Sequence, residues 1–365
     1  MGTPLRRIDC HQHAWELETL ANVATNAAQI DCAAVNLVSC IDQKQANANP
    51  PAFVAKALFP EQVYVFAGLD HSAYFSEGRL ETPSLAEQID RLLALGADGI
   101  KMLENKPTAR KMLDIPVDSP YFAEYFAHAE ETGVPILWHV ADPEEFWRPE
   151  TTPVWARERG WGYNDTFVAK EQLYAEVENV LTRHPNLRII FAHFYFLSAD
   201  PDRAARLFDR FPGVHLDLAP GIELLYNLSR NPDASRRFFE RYQDRILFGT
   251  DISSNQPATE AALRAGIVTR WLETSEEYRV PDGADFLLGP PEDGVMRGLA
   301  LPADTLAAIY HDNFTRLAGP RPKTLNLPLA IAECERLAAE AAFLTGEPAE
   351  STLAAQAAER LRALA

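Results

Sequence analysis

Residues 119–140 read SPYFAEYFAHAEETGVPILWHV, and this stretch contains one complete helix-to-strand unit. Ser119-Pro120 is a typical helix start, because serine caps free backbone N–H groups and proline fits the first turn. Gly133 predicts the end of that helix, since glycine readily adopts the left-handed conformation found there. The nearly continuous apolar run that follows, residues 134–140, predicts a strand buried in a parallel sheet.

The same alternation recurs along the chain. Eight short apolar runs predict strands, each followed by a polar loop and most also by a helical pattern. These runs are residues 7–13, 33–40, 63–69, 99–103, 134–140, 187–193, 214–218 and 245–251. Helix-start signals separate them at two further places: a capping-box pattern of Ser84 and Glu87 precedes residues 85–95, and Asp200-Pro201 precedes residues 202–211.

Strands that alternate with helices predict right-handed β-α-β crossovers. Eight such units favour an α/β fold of the closed TIM-barrel type, (β/α)₈. A doubly wound open sheet is the alternative, but it typically has a glycine-rich turn after its first strand, where this chain has His11-Gln12-His13. We therefore predict a barrel over residues 1–318. Residues 319–365 are predicted to be a helical extension, with a pair of helices in residues 328–365 that packs on the barrel or forms a dimer contact.

Charge and composition exclude several classes of function. The 365 residues include 34 Lys and Arg against 52 Asp and Glu, and the net charge of −18 would repel nucleic acid and anionic membranes. The four cysteines have no C-x-x-C spacing, so neither a zinc ribbon nor a disulfide framework is predicted. No apolar stretch has the pattern of a signal peptide or the length of a membrane span. We expect a cytoplasmic protein that acts on a small molecule, either as a monomer or as a homodimer.

The predicted strands end in potential metal ligands. His11 and His13 lie at the end of the first strand, and they must point the same way because alternate side chains share a face. His139, His193 and Asp251 end the fifth, sixth and eighth strands. Imidazole and carboxylate groups suit a divalent metal with an open coordination position, and barrels of this type carry their chemistry at this end. Each residue alone also has a simpler interpretation, as a polar group satisfied within the core.

This ordered set resembles the amidohydrolase superfamily, and within it the amidohydrolase-related branch that includes aminocarboxymuconate-semialdehyde decarboxylase. The resemblance covers about residues 5–318, and it is carried by Asp9-Cys-His11-Gln-His13, His139-Val-Ala-Asp-Pro143, Arg183-His-Pro185 with Ala192-His193, Gly249-Thr-Asp251 and Asn313. It implies that His11, His13, His139 and Asp251 bind a divalent metal. It also implies that His193 polarises the substrate, relays a proton or binds a second metal.

Lys101 on the predicted fourth strand bears on the number of metal ions. Dinuclear members of the superfamily place a carboxylated lysine there, which bridges two metals. The alternative is an ion pair with a neighbouring acid or a substrate carboxylate, since a buried lysine needs such a partner. We favour the ion pair and therefore expect one divalent ion rather than two. Zinc is our first expectation, although manganese, iron and cobalt accept the same ligands.

Two metal-dependent reactions fit this ligand set. A bound divalent metal lowers the pKa of water to about 7. In hydrolysis, Asp251 would orient that water and take its proton, while the metal or His193 polarises the carbonyl of an ester, lactone or amide in a small carboxylate or aromatic substrate. The resemblance adds non-oxidative decarboxylation of an unsaturated or aromatic acid as the alternative. A non-catalytic barrel that only binds a ligand is a third interpretation, which the complete set of polar groups disfavours.

Residues 142–166 form an unusually long connection after the fifth strand, and we call this segment the long loop. Its large side chains include Trp147, Trp155, Trp161, Arg148, Arg157 and Arg159. Aromatic and guanidinium groups suit an aromatic or unsaturated carboxylate, bound by stacking and bidentate pairing. A structural lid whose tryptophans pack on the barrel rim is the alternative. The residues that we predict to contact substrate are Trp147, Arg148, Arg110 and Glu223, and His71 also follows a strand.

Overall fold

Nine strands form the central sheet of the computed structural model, which describes residues 6–221, 223–280 and 294–365. They are β1 (Arg7–His13), β2 (Cys32–Val38), β3 (Val63–Gly68), β4 (Gly99–Asn105), β5 (Pro135–Val140), β6 (Arg188–Phe191), β7 (Val214–Asp217), β8 (Ile246–Leu247) and β9 (Ile252–Ser253). Every neighbouring pair is parallel, in the spatial order β8-β7-β6-β5-β4-β3-β2-β1-β9. Two antiparallel hairpins lie outside this sheet, Ile41–Asp42 with Ala46–Asn47 and Glu277–Arg279 with Val295–Arg297.

Strand β8 lies within the predicted eighth strand, residues 245–251, and β9 directly follows it. Together β8 and β9 close the sheet into a barrel. Backbone hydrogen bonds join Cys10 N to Phe248 O at 3.0 Å and Asp251 N to His11 O at 2.8 Å, so the last strand meets the first. The ladder is interrupted between β8 and β9, where Asp251 adopts a left-handed backbone conformation with a φ of 57°. The predicted TIM barrel is confirmed, but its eighth strand is broken rather than continuous over residues 245–251.

Helices follow most strands and cover the outside of the barrel. The α-helices are Ala21–Gln29, Asn49–Leu58, Ser72–Phe75, Leu85–Leu95, Pro107–Leu113, Ala123–Thr132, Val154–Glu158, Lys170–Arg183, Pro201–Arg210, Leu224–Ser229, Pro232–Arg241, Ala258–Glu273, Ala303–Ala307, Asn313–Ala318, Leu327–Thr345 and Leu353–Leu364. Short 3₁₀ turns are Pro120–Phe122, Glu144–Trp147, Ala192–Phe196, Gln243–Arg245 and Ala349–Ser351, and Ala308–Asp312 is a π-helical turn. Among the described residues, no helix combines the length and the apolar character needed to cross a bilayer.

Helix starts follow the local sequence signals, with one exception. Ser84 Oγ accepts a hydrogen bond from Glu87 N while the Glu87 carboxylate accepts one from Ser84 N, which completes the predicted capping box. The Asp200 carboxylate likewise accepts a backbone hydrogen bond from the first turn of its helix. Ser119 does not cap its helix, because the chain enters through the 3₁₀ turn Pro120–Phe122. Its hydroxyl has no hydrogen-bond partner in the part of the chain that the structure describes.

The amino-terminal end of the barrel is closed by apolar packing. Phe314 and Leu317 from the helix Asn313–Ala318 pack against interior strand residues such as Ile8 and Tyr64. The polar side chains at the opposite, carboxyl-terminal end are therefore separated from this apolar plug by the packed barrel interior, an arrangement typical of TIM barrels.

The C-terminal helices Leu327–Thr345 and Leu353–Leu364 lie against the barrel. Cys334 and Leu361 belong to the main hydrophobic core, and the Arg360 guanidinium donates a hydrogen bond to Leu17 O at 2.7 Å. Burial against the barrel therefore accounts for the apolar faces of both helices. The division of the chain into a barrel over residues 1–318 and an extension over residues 319–365 stays a prediction, as does the homodimer.

Candidate metal centre

His11 and His13 at the end of β1 converge on Asp251, which lies between β8 and β9. Asp251 Oδ1 lies 3.0 Å from His13 Nε2 and 3.7 Å from His11 Nε2. The three residues offer one ligand atom each, and these atoms lie within 4.8 Å of one another. The group sits at the carboxyl-terminal mouth of the barrel, and we call these three residues the metal group.

The hydrogen bonds of the two rings leave their Nε2 atoms free to bind a metal. His13 Nδ1 donates to Val38 O at 2.9 Å, and His11 Nδ1 donates to Asp217 Oδ2 at 2.8 Å. A carbonyl oxygen can only accept, so the proton of the neutral His13 ring is on Nδ1 and a lone pair remains on Nε2. That lone pair faces the Asp251 carboxylate, and two acceptors at this distance need a positive charge between them. Two imidazoles and one carboxylate therefore fit a divalent metal.

Electrostatics favour the protonation states that metal ligands require. Burial, together with the Lys101 charge, holds the pKa of His11 well below its usual range, so this ring is neutral. Burial raises the pKa of Asp251, but a hydrogen bond from His13 and positive charge at the neighbouring imidazoles outweigh burial and hold that pKa well below its usual range. A bound cation would supply the same positive charge when the rings are neutral. Neutral imidazoles beside an ionised carboxylate are the states in which these side chains bind metals.

His193 and His139 lie beside the metal group rather than within it. The centroid of the His193 ring is 5.1 Å from that of His11 and 4.9 Å from that of His139. His193 Nδ1 donates to Ala219 O at 3.0 Å, which leaves a lone pair on its Nε2. His139 Nε2 is instead engaged with a backbone carbonyl at 3.0 Å and with Asp142 Oδ1 at 3.1 Å. Of the four predicted ligands, the structure therefore brings three together.

Lys101 on β4 is buried next to the metal group, with its Nζ 3.4 Å from His11 Nε2. Burial lowers the pKa of this lysine. Within the described ranges no carboxylate lies at ion-pair distance from Lys101 Nζ, so the predicted pair with a neighbouring acid is not formed. The reason is geometric, because the Asp217 carboxylate is bonded to His11 Nδ1 and to two backbone N–H groups instead.

Sequence reasoning did not single out Asp217, Lys106 and Asp142, although all three are part of the site. Asp217 ends β7 and holds the His11 ring. Asp142 accepts hydrogen bonds from Lys106 Nζ at 2.8 and 2.6 Å and a further one from the Tyr163 hydroxyl. The available signal was position, since each of the three lies at, or one or two residues after, the end of a barrel strand.

A cavity of about 200 Å³ lies beside the metal group. Its lining on the barrel side includes Asp251, His139 and His193. The long loop contributes Phe146, Trp155, Arg159 and Trp161, and further cationic groups come from Lys106 and Arg264. The loop therefore forms one wall of the cavity, with aromatic and cationic side chains facing inward.

The described lining of this cavity does not include the four residues that we predicted to contact substrate. Arg148 is exposed and pairs with Glu144 at 3.3 Å, while Arg110 pairs with Glu176 at 3.4 Å. Trp147 packs on Tyr163, with ring centroids 4.7 Å apart. Glu223 is buried behind Gly221, which does line the cavity. His71 is engaged with Glu104 at 3.0 Å. Apart from Glu223, these side chains are thus held by neighbouring acids and aromatic rings away from the cavity.

The sequence from residue 8 to residue 318 matches the family model described as Amidohydrolase. The chain belongs to the amidohydrolase family. A search of the curated proteins finds no match for this chain.

Solved structures share the fold of this chain at low sequence identity. A 5-carboxyvanillate decarboxylase from Sphingomonas paucimobilis is 13% identical, with a TM-score of 0.52 over 86% of this chain and 99% of its own. An uncharacterised TIM-barrel protein from Bordetella bronchiseptica is 14% identical, with a TM-score of 0.51 over 86% of this chain and 98% of its own. At these identities the likeness concerns the barrel fold alone.

Proposed function

We propose that this amidohydrolase is a metal-dependent hydrolase, in which a metal-activated water cleaves an ester, lactone or amide bond of a small carboxylate or aromatic substrate. The observation that carries the proposal is the convergence of His11 Nε2, His13 Nε2 and Asp251 Oδ1 at the mouth of the barrel. The second nitrogen of each ring is already engaged, so both Nε2 lone pairs are available to a cation beside the Asp251 carboxylate, and Lys101 Nζ lies 3.4 Å from that of His11.

In this proposal His11, His13 and Asp251 hold one divalent ion, with zinc as the first candidate. His139 is kept as a proposed fourth ligand because it lines the same cavity beside His193. When bound, the ion supplies a Lewis acid and lowers the pKa of a coordinated water to about 7. Asp217 fixes the His11 ring so that its Nε2 faces the site.

The roles of the chain's own groups follow from their protonation. The ionised Asp251 carboxylate accepts a proton from the attacking water and later returns it to the leaving group. His193 carries its proton on Nδ1, and the Nε2 lone pair makes it an acceptor. We therefore propose that His193 relays a proton, rather than donating a hydrogen bond to the scissile carbonyl.

Arg159 is the proposed contact for a substrate carboxylate. Its guanidinium lies over the rings of Trp155 and Trp161, 5.4 and 5.8 Å from their centroids. Among the described residues Arg159 has no acid at ion-pair distance, whereas Lys106 pairs with Asp142. A guanidinium flanked by indole rings suits a planar carboxylate, bound by pairing and stacking.

Non-oxidative decarboxylation is the second candidate reaction. It is favoured by the aromatic wall of Phe146, Trp155, Trp161 and Phe196, because an apolar wall disfavours a carboxylate relative to neutral carbon dioxide. A panel of aromatic and unsaturated acids, esters, lactones and amides separates the two reactions. Release of carbon dioxide identifies the decarboxylase, and formation of a new acid with an alcohol or amine identifies the hydrolase.

Metal content tests the proposal directly. The His13→Ala variant should lose the bound metal and the activity, while His128→Ala, at a histidine on the outer surface of the barrel, should retain both. A stoichiometric metal in His13→Ala, or an active wild-type protein that contains no metal, would contradict the proposal. The His139→Ala variant decides the fourth ligand, because unchanged metal affinity would remove His139 from the set.

A further inference from the structure

Glu223 places a buried carboxyl group behind the wall of the cavity, and no other residue that the structure describes gives it a hydrogen-bond partner. It follows β7, and both of its oxygens are inaccessible and unpaired among the described residues. A Cβ atom built on Gly221, which lines the cavity, would lie 3.0 Å from Glu223 Oε2. Buried polar atoms in native proteins are almost always hydrogen-bonded, so such a group calls for a specific explanation.

The base of the long loop carries further unsatisfied polar atoms, and its Glu145 lies close enough to Glu223 to act on that carboxyl group. Glu145 Oε2 and Trp147 Nε1, both on the 3₁₀ turn Glu144–Trp147, are buried without a hydrogen-bond partner among the described residues. Lys170, at the start of the helix that follows the loop, reaches Glu144 at 3.6 Å and lies 5.6 Å from the centroid of the Trp147 ring. Both ends of the long loop thus meet next to Glu223.

The long loop also has an apolar core that is distinct from that of the barrel. Phe146, Ala156 and Tyr163 form a separate cluster, against which Trp155 and Trp161 pack. Trp147 packs against the main core of the barrel as a partly buried side chain. A segment with its own small core can move as a unit and at a lower free-energy cost than the barrel.

We propose that Glu223 is a positioning residue of the site: its neutral carboxyl group lets the long loop pack closed against the cavity, and its ionisation favours the open loop. This proposal rests on the cavity being the substrate site, as in the proposed function.

The charged and titratable neighbours of Glu223 give the direction of the effect. Burial, and then the Glu145 carboxylate, raise the pKa of Glu223 to about 8, with Asp142 acting in the same direction. The backbone N–H of Glu223 itself, and then Lys170, act against this rise. Glu144 and Tyr174 are the other titratable groups near Lys170 and Glu223. Pro220, Gly221 and Phe196, which also pack here, are uncharged.

The pH window follows from linkage between closure and protonation. In the open loop, Glu223 would have an ordinary pKa of about 4.5, against about 8 in the closed loop. Because the closed state binds the proton more tightly, protonation favours closure fully below pH 4.5, and this advantage is lost as the pH rises to 8. Between these values the closure constant should fall about tenfold per pH unit.

Hydrogen exchange of the substrate-free, full-length protein measures this closure. Protection of residues 144–161, corrected for the intrinsic pH dependence of exchange, should decrease between pH 4.5 and 8 in the wild type. In Glu223→Gln, which is isosteric and permanently neutral, that slope should vanish. Glu223→Gln leaves every other titratable group of the cavity in place, so the difference between the two proteins isolates Glu223.

Two further variants test the direction in which each charged neighbour shifts the pKa of Glu223. Glu145→Gln removes a like charge and should move the upper limit of the window below pH 8, whereas Lys170→Met should move it above. Glu150→Gln, on an exposed part of the same loop, should behave as the wild type.

A wild-type slope of zero, or an equal slope in Glu223→Gln, would overturn the proposal. If Glu223→Gln is too unstable to measure, the opposite shifts in Glu145→Gln and Lys170→Met decide it, and shifts of the same sign would also overturn it. Because this measurement needs neither metal nor substrate, its failure is distinguishable from failure of the proposed function.

Discussion

Replacement of Asp217 by asparagine should weaken metal binding without unfolding the barrel. Asp217 Oδ1 accepts the backbone N–H groups of His193 at 2.7 Å and Ala219 at 3.1 Å, while Oδ2 faces His11 Nδ1. An asparagine oxygen can retain both backbone bonds, which leaves the amide NH₂ opposite His11 Nδ1. Two donors cannot bond to each other, so the His11 proton would move to Nε2 and block the atom that binds the metal.

The expected loss follows from this change of tautomer. Removal of the hydrogen-bond partner that orients a metal-binding histidine typically costs about 10- to 100-fold in metal affinity. This corresponds to about 1.4–2.7 kcal/mol of binding free energy. The two backbone bonds survive, so the free energy of unfolding of the metal-free protein should change by about 1 kcal/mol or less.

Competition with a chelator of known affinity, at a pH where Asp217 is ionised, measures the metal affinity of Asp217→Asn and the wild type. Denaturant unfolding of the metal-free proteins gives the second quantity. Asp209→Asn is the matched control, because that carboxylate binds Arg241 and Tyr242 on the outer surface of the barrel. A metal affinity within twofold of the wild type would refute the role of Asp217 in orienting His11.

Three further predictions concern stability and substrate binding. Ser84→Ala removes a helix cap and should lower the free energy of unfolding by about 1 kcal/mol, measured from urea midpoints. Lys56→Met leaves the buried Asp98 carboxylate without its ion-pair partner, which lies 2.5 Å away. The free energy of unfolding should therefore fall by about 3–5 kcal/mol. A urea midpoint equal to that of the wild type would show that Asp98 is already neutral. Arg159→Ala should raise KM for a carboxylate substrate about 10- to 100-fold with kcat little changed. Arg148→Ala, which removes an exposed guanidinium outside the cavity lining, should leave KM unchanged, and equal effects of the two changes would contradict the assignment.

The fold could be predicted because its signals are local. Apolar runs that end at glycine, serine-proline or aspartate-proline pairs identify most strands and helices to within a few residues. Two departures occur where residues other than glycine adopt positive φ. Asp251 breaks the eighth strand, and β6 ends at Phe191, two residues before its predicted limit at His193. Contacts between distant strands stabilise those conformations, and no local pattern predicts them.

The sequence predicts which side chains lie at strand ends, and only this part of the site could be predicted. Position at the end of a strand was sufficient to find His11, His13 and Asp251. The direction of each ring depends on partners from other strands, such as Val38 O for His13. On the long loop, residue type identified tryptophan and arginine as candidate contacts, but packing decides which of them faces the cavity. Pairing of Arg148 with Glu144 turns that arginine outward, whereas other loop side chains face inward.

The turn after β6 shows how the barrel core stabilises an unfavourable backbone at the site. His193, Phe194, Tyr195 and Phe196 have φ values of 56°, 56°, 58° and 51°. A left-handed conformation costs roughly 1–2 kcal/mol per residue, so this turn costs about 4–8 kcal/mol. The three aromatic side chains are buried, and the two phenylalanines contribute about 1.5–3 kcal/mol each, or about 3–6 kcal/mol together. Because burial of these rings offsets the cost, the chain can turn sharply and direct the His193 ring into the cavity. Phe194 and Tyr195 therefore support the site through packing, although neither belongs to the described lining of the cavity.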